Sequence, residues 1–209
     1  MKKYFNYTQL IWVLFFAYFF ILMLQITLRY IPASNGIAFL QIKQTEVSSI
    51  KSYLPLFYLH VYSAIFVLVA GFTQFNTKIQ SSYKKVHRVL GYFYAGVVLL
   101  FAAPSGIFIG CFANGGIISK VSFVLLGILW FYFTLKAIIF ILKRDVVNHK
   151  KYMWRSFALA CSAITLRLWK VILVYLFHPA PMDVYQIIAW LGWIPNLLIA
   201  EWFIKRKIV

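Results

Sequence analysis

The stretch HRVLGYFYAGVVLLFAAPSGIFIG, residues 87–110, decides the fold. No charged side chain occurs between Arg88 and Lys120, and about 20 apolar helical residues cross the roughly 30 Å hydrocarbon core of a bilayer. Working outward from it, comparable runs lie at about 10–28, 55–75, 120–142, 153–177 and 184–204, which with about 88–110 makes six predicted transmembrane helices. The chain is 63% hydrophobic and 20% aromatic but only 12% charged, with a mean hydropathy of +0.83, a composition that excludes a water-soluble globule. The expectation is an all-α polytopic membrane protein, a single membrane domain over residues 1–209. The aqueous loop from Arg29 to about Tyr53 is too short for a domain of its own, and Thr45 to Tyr53 reads as an interfacial turn of helix.

Basic residues set the expected orientation, because short cytoplasmic loops retain Lys and Arg. With Lys2 and Lys3 inside, the same side takes Lys78, Lys84, Lys85, Arg88, Lys143, Arg144, Lys150, Lys151, Arg155, Lys205, Arg206 and Lys207. The opposite side takes Arg29, Lys43, Lys51 and Lys120. Both termini are therefore expected in the cytoplasm, with the net charge of +17 facing anionic lipid headgroups rather than nucleic acid. The run from Leu10 to Leu28 exceeds the apolar core of a cleaved signal and reads as a permanent first helix. Cys111 and Cys161 make no disulfide framework.

Steps of four and three trace one seam along each helix. Helix two gives His60, Ala64, Val67, Gly71 and Gln74; helix three gives His87, Gly91, Tyr94, Val98, Ala102 and Ser105. Helix five gives His149, Tyr152, Ser156, Ala160, Ala163, Arg167 and Lys170, and helix four gives Gly127, Trp130, Thr134 and Ala137. Small residues let membrane helices approach closely, so close packing accounts for the glycines and alanines. It does not account for the histidines.

His87 and His149 each open a helix on the cytoplasmic side, at similar depth, so their rings can face one another. Two imidazoles from separate helices, with Gly91 one turn below the first, suit a six-coordinate haem b. The expected cofactor-binding set is His87, His149, Gly91 and Arg155, with the two histidines on the haem iron. His60 lies on the opposite side, which disfavours a compact three-histidine zinc centre. Arg167 sits about ten residues, ~15 Å, from the outer end of its helix. No carboxylate is placed in the sequence to pair with it; the four acids are Glu46, Asp145, Asp183 and Glu201. His60, Arg167 and Lys170 therefore form an expected outer-side site for a quinone or an anionic small ligand.

These residues resemble the bacterial predicted-membrane-protein family catalogued as domain of unknown function 2306, over roughly Leu59 to Lys170. The resemblance rests on Leu59-His60, on Gly71 to Phe75, and on His87-Arg88-Val89-Leu90-Gly91-Tyr92-Phe93-Tyr94. It continues through Trp130, His149, Met153 to Leu159, and Thr165-Leu166-Arg167. The family usually has tryptophan where this chain has Tyr152, with Trp154 after the methionine instead. The resemblance implies a layout similar to two-haem b-type cytochromes by analogy of fold alone. Helix four, with Tyr132, Thr134 and Lys136 but no histidine, departs from that layout, so only one haem is expected.

The resulting expectation is a transmembrane electron carrier or quinone-linked redox protein. The alternative is a non-enzymatic membrane protein, either a small transporter of an anionic ligand or an assembly factor. The sequence names no reaction: HExxH, serine-nucleophile and phosphate-loop motifs do not occur in it.

Overall fold

A computed structural model describes residues 7–75, 77–178 and 180–206. Lys2, Lys3, Lys207 and Pro179 lie outside the described residues, as do both ends whose cytoplasmic placement the charge pattern predicts. In chain order the helices are α1 Tyr7–Leu28, α2 Gln44–Ser49, α3 Tyr53–Gln74, α4 Thr77–Ser82, α5 Lys84–Val97, α6 Ala103–Gly110, α7 Gly116–Leu142, α8 Val146–Ala160, α9 Ser162–Phe177, α10 Pro181–Leu191 and α11 Ile194–Lys205. No strand occurs among the described residues. Among the described residues, four continuous segments are long and apolar enough to cross a membrane: Tyr53–Gln74, Lys84–Gly110, Gly116–Leu142 and Asp183–Lys205. The bent pair Val146–Ala160 and Ser162–Phe177 makes a fifth if taken as one span.

Helices α3, α5, α7 and α8 form the centre, with α11 against α8, α10 against α9 and α7, and α1 on the flank of α3. Small residues permit these approaches. A Cβ on Gly127 would stand 2.6 Å from Ile107 Cγ1, and one on Gly71 would enter the Phe157 ring. The seam of α7 is the buried one: Ser119, Ser122, Gly127, Trp130, Thr134 and Ala137 all face inward. Ser122 donates to the Ala189 carbonyl at 2.8 Å and accepts from Trp193 Nε1 at 3.0 Å, tying the last span to α7.

Three local features depart from straight apolar rods. The fifth expected helix, about 153–177, begins earlier at Val146 and bends by 41° between Ala160 and Ser162. The bend follows from side chains competing for its backbone ladder: Asn196 Nδ2 donates to Ala158 O at 3.2 Å, and Thr165 Oγ1 to Cys161 O at 3.1 Å. Between α5 and α6, Val98–Ala102 forms a π turn followed by Pro104, which has no N–H to give to the ladder. The loop expected to carry one interfacial turn carries two, a 3₁₀ turn at Ala38–Ile42 and α2. It packs as a cap: Leu40 is fully buried, Tyr58 Oη donates to Ser34 O at 2.6 Å, and Tyr62 Oη donates to Tyr30 O at 2.6 Å.

Candidate functional site

Among the described residues, cavities lie at opposite ends of α3. Near Gln74 lies an inner cavity of about 710 Å³; near Tyr53, under the cap, lies an outer one of about 420 Å³. Both volumes fall in the range of about 300–1,000 Å³ usual for ligand sites.

The inner cavity is where the two expected iron-ligand histidines meet. His87 on α5 and His149 on α8 both line it, and each is half-buried. His149 is held at the first turn of α8, which Asp145 caps by accepting from Asn148 N at 3.0 Å. The Asn148 backbone N–H, helped by its side-chain amide, keeps the Asp145 carboxyl below the ordinary carboxylate range. His149 Nδ1 donates to the Ala137 carbonyl of α7 at 2.9 Å, so its proton is on Nδ1 and the lone pair is on Nε2. That is how a metal-ligating imidazole is held: one nitrogen anchored to a carbonyl, the other free.

His87 meets a different partner. Gln74, buried at the end of α3, fills the space that Gly91 leaves: a Cβ on Gly91 would stand 3.0 Å from the Gln74 amide. Gly91 therefore makes room for a glutamine rather than leaving an open slot for a macrocycle. With its amide turned to suit its neighbours, Gln74 nitrogen donates to His87 Nδ1 at 3.2 Å and to the His87 carbonyl at 3.3 Å. Its oxygen accepts from Gly91 N at 3.3 Å. A donor against Nδ1 keeps the His87 proton on Nε2. To hold a metal through Nε2, His87 would carry its proton on Nδ1 instead, with the Gln74 amide turned over to accept it.

The rest of the inner lining has the chemistry that a haem would call for. Phe75, Met153, Trp154 and Ile138 give apolar walls, and Lys84, Arg88 and Lys150 give a basic rim suited to propionates. Arg155, expected in the same set, has another partner. Its guanidinium donates to both carboxylate oxygens of Glu201, at 2.9 Å to Oε2, and rests 4.9 Å over the Tyr152 ring. A carboxylate on α11 draws it away from the cavity, which it does not line.

His60, Arg167 and Lys170 all line the outer cavity. His60 Nδ1 donates to Ala102 O, the last carbonyl of the π turn, at 2.9 Å. Gly106 clears space for the ring, since a Cβ there would stand 2.9 Å from His60 Cε1. Arg167 Nη1 donates to Ala163 O at 2.5 Å. Among the described residues the two ion pairs are Lys43–Glu46 and Arg155–Glu201, so neither Arg167 nor Lys170 has a carboxylate partner.

Between the cavities runs a polar chain through the bundle core. Tyr94 Oη and Ser156 Oγ are 2.8 Å apart, Ser156 Oγ and Thr134 Oγ1 are 2.7 Å apart, and Thr134 donates to Trp130 O at 2.7 Å. Trp130 Nε1 returns a long bond of 3.5 Å to Tyr94 Oη.

Two site residues are not singled out by the sequence: Gln74, which looks like the last residue of a packing seam, and Lys43, which looks like one more loop base. Lys43 is buried, paired with Glu46 at 2.6 Å and donating to Phe112 O, and it borders the outer cavity.

The family model for a predicted membrane protein, DUF2306, matches residues 57–204, which include both cavities' histidines and Arg167. The chain belongs to the DUF2306 family. The match runs past the fifth span to α11, so this DUF2306 protein shares the last helix as well as the core that its motifs mark. No curated protein and no solved structure matches the chain.

Proposed function

We propose that this DUF2306 protein is a six-span protein of the cell membrane, both termini cytoplasmic, that holds one b-type haem between His87 and His149 and carries electrons within the bilayer. The observation that carries the reading is the shared inner cavity, bordered by imidazoles from two different helices, with His149 anchored through Nδ1 so that Nε2 is the free ligand atom. Helix α1 supplies the sixth span: it is apolar and packs along α3.

When bound, haem supplies one-electron chemistry; the chain sets its position and potential. His149 and His87 would hold the haem iron, with Ala137 O orienting the first ring and Gln74 the second. Lys84, Arg88 and Lys150 would offset the haem propionates at the cavity mouth, and Phe75, Met153 and Trp154 would keep water from its floor.

The test is haem content after expression with ample haem supply and purification in an uncharged detergent. About one haem per chain is expected for the wild type, with near-complete loss in His149→Ala and in His87→Ala while both variants stay monodisperse. Colourless wild-type protein overturns the proposal.

A further inference from the structure

The outer cavity has its own chemistry, which the inner haem reading does not use. Its walls are apolar, among them Phe57, Ile65, Leu126 and Ile188; its polar lining includes the Tyr30 and Tyr185 hydroxyls, and two groups of opposite kind stand out. Arg167 brings a guanidinium with no carboxylate partner among the described residues. His60 brings the opposite property: with Nδ1 committed to Ala102 O, its proton is fixed there and Nε2 can only accept. Lys43, the other buried cation at this cavity, is already matched by Glu46 and Phe112 O.

We propose that the outer cavity binds a lipophilic molecule that ends in an acidic hydroxyl. Its apolar body fills the cavity, its O–H donates to His60 Nε2, and its oxygen accepts from the Arg167 guanidinium, with Lys170 nearer the surface as a second cation on the way in. A half-buried cation at membrane depth is costly unless something answers it, and a ligand oxygen adds to the Ala163 carbonyl here where no side-chain carboxylate does. The π turn that exposes Ala102 O and the glycine that clears the His60 ring are the local devices that hold the acceptor in place. Hydroquinones and fatty acids both carry this chemistry. The proposal concerns binding only and stands whether or not the inner cavity holds a haem.

Ligand-dependent thermal stability of the detergent-purified full chain tests it. The probes are a decyl benzohydroquinone kept reduced and lauric acid, with methyl laurate as the control lacking the hydroxyl. A rise in Tm of about 5 °C is expected with at least one acidic probe at a hundredfold its Kd, and none with methyl laurate. Whichever acidic probe acts identifies the source. Arg167→Gln is expected to weaken binding by at least about tenfold, Arg167→Lys to retain most of it, and His149→Ala to leave it unchanged. If Arg167→Gln does not fold, His60→Leu carries the test with the same expected loss. No shift with either acidic probe, an equal shift with methyl laurate, or full binding in Arg167→Gln or His60→Leu overturns the proposal. Because the His149→Ala arm does not need haem, this failure is distinct from failure of the inner site.

Discussion

Ser156→Ala probes the centre of the bundle. Ser156 is fully buried on α8 and joins two other fully buried hydroxyls, Tyr94 on α5 and Thr134 on α7. Because Thr134 gives its proton to Trp130 O, the chain has one consistent direction: Tyr94 to Ser156, Ser156 to Thr134, Thr134 to the carbonyl. Removing the serine oxygen strands the Tyr94 proton, while Thr134 keeps its donor bond. A stranded buried donor costs about 1–3 kcal/mol. Inter-helix bonds in a membrane protein average nearer 0.6 kcal/mol, because the reference state finds other partners. The expected loss is therefore about 1–2 kcal/mol. Tyr94→Phe removes the donor along with its bond and leaves only Trp130 Nε1 short of a 3.5 Å contact, so it should cost less, about 0.5–1 kcal/mol. Reversible unfolding in mixed micelles, followed by tryptophan emission, measures both. A Tyr94→Phe loss equal to or larger than that of Ser156→Ala would refute the directed chain.

Gln74→Leu removes the amide that, turned over, would accept from His87 Nδ1 and orient the ring for a metal, and is expected to weaken haem affinity by about 10–100-fold, read by haem titration of the apoprotein. Arg155→Ala leaves Glu201 without its partner. Side-chain exposures of 19% and 32% place the pair between surface and core, so the expected loss is about 1–2 kcal/mol rather than the ~3–5 kcal/mol of a fully buried pair. A cycle with Glu201→Gln checks that the two losses couple. Asp145 is held ionised by the Asn148 amides, so its cap on α8 is present above the carboxyl's ordinary range and is lost as pH falls through its depressed folded pKa. Hydrogen exchange in the first turn of α8 should speed up on acidification in the wild type, and Asp145→Asn, whose amide oxygen caps without titrating, should flatten that dependence.

Hydropathy alone makes the helical spans legible, since a run without charge for the thickness of a bilayer admits almost nothing else. Bends are another matter. The 41° break between Ala160 and Ser162 depends on Asn196 reaching across from α11, a contact with no trace in the local sequence. The histidines stand out because an imidazole on an apolar seam is conspicuous, and the sequence groups His60, Arg167 and Lys170 through helix spacing alone; the structure brings them to one cavity. Gln74 is hidden because its amide matters only through the ring it faces, and Arg155 is drawn to Glu201, which sits 46 residues away on another helix. Lys43 becomes visible only once the loop folds into a cap.

The most direct test is low-temperature electron paramagnetic resonance of the oxidised, haem-loaded protein. Two imidazole ligands predict a low-spin ferric signal in the wild type that is lost in His87→Ala and in His149→Ala, any residual bound haem there being high-spin. Protein that takes up no haem, or that gives the same signal with and without either histidine, contradicts the account.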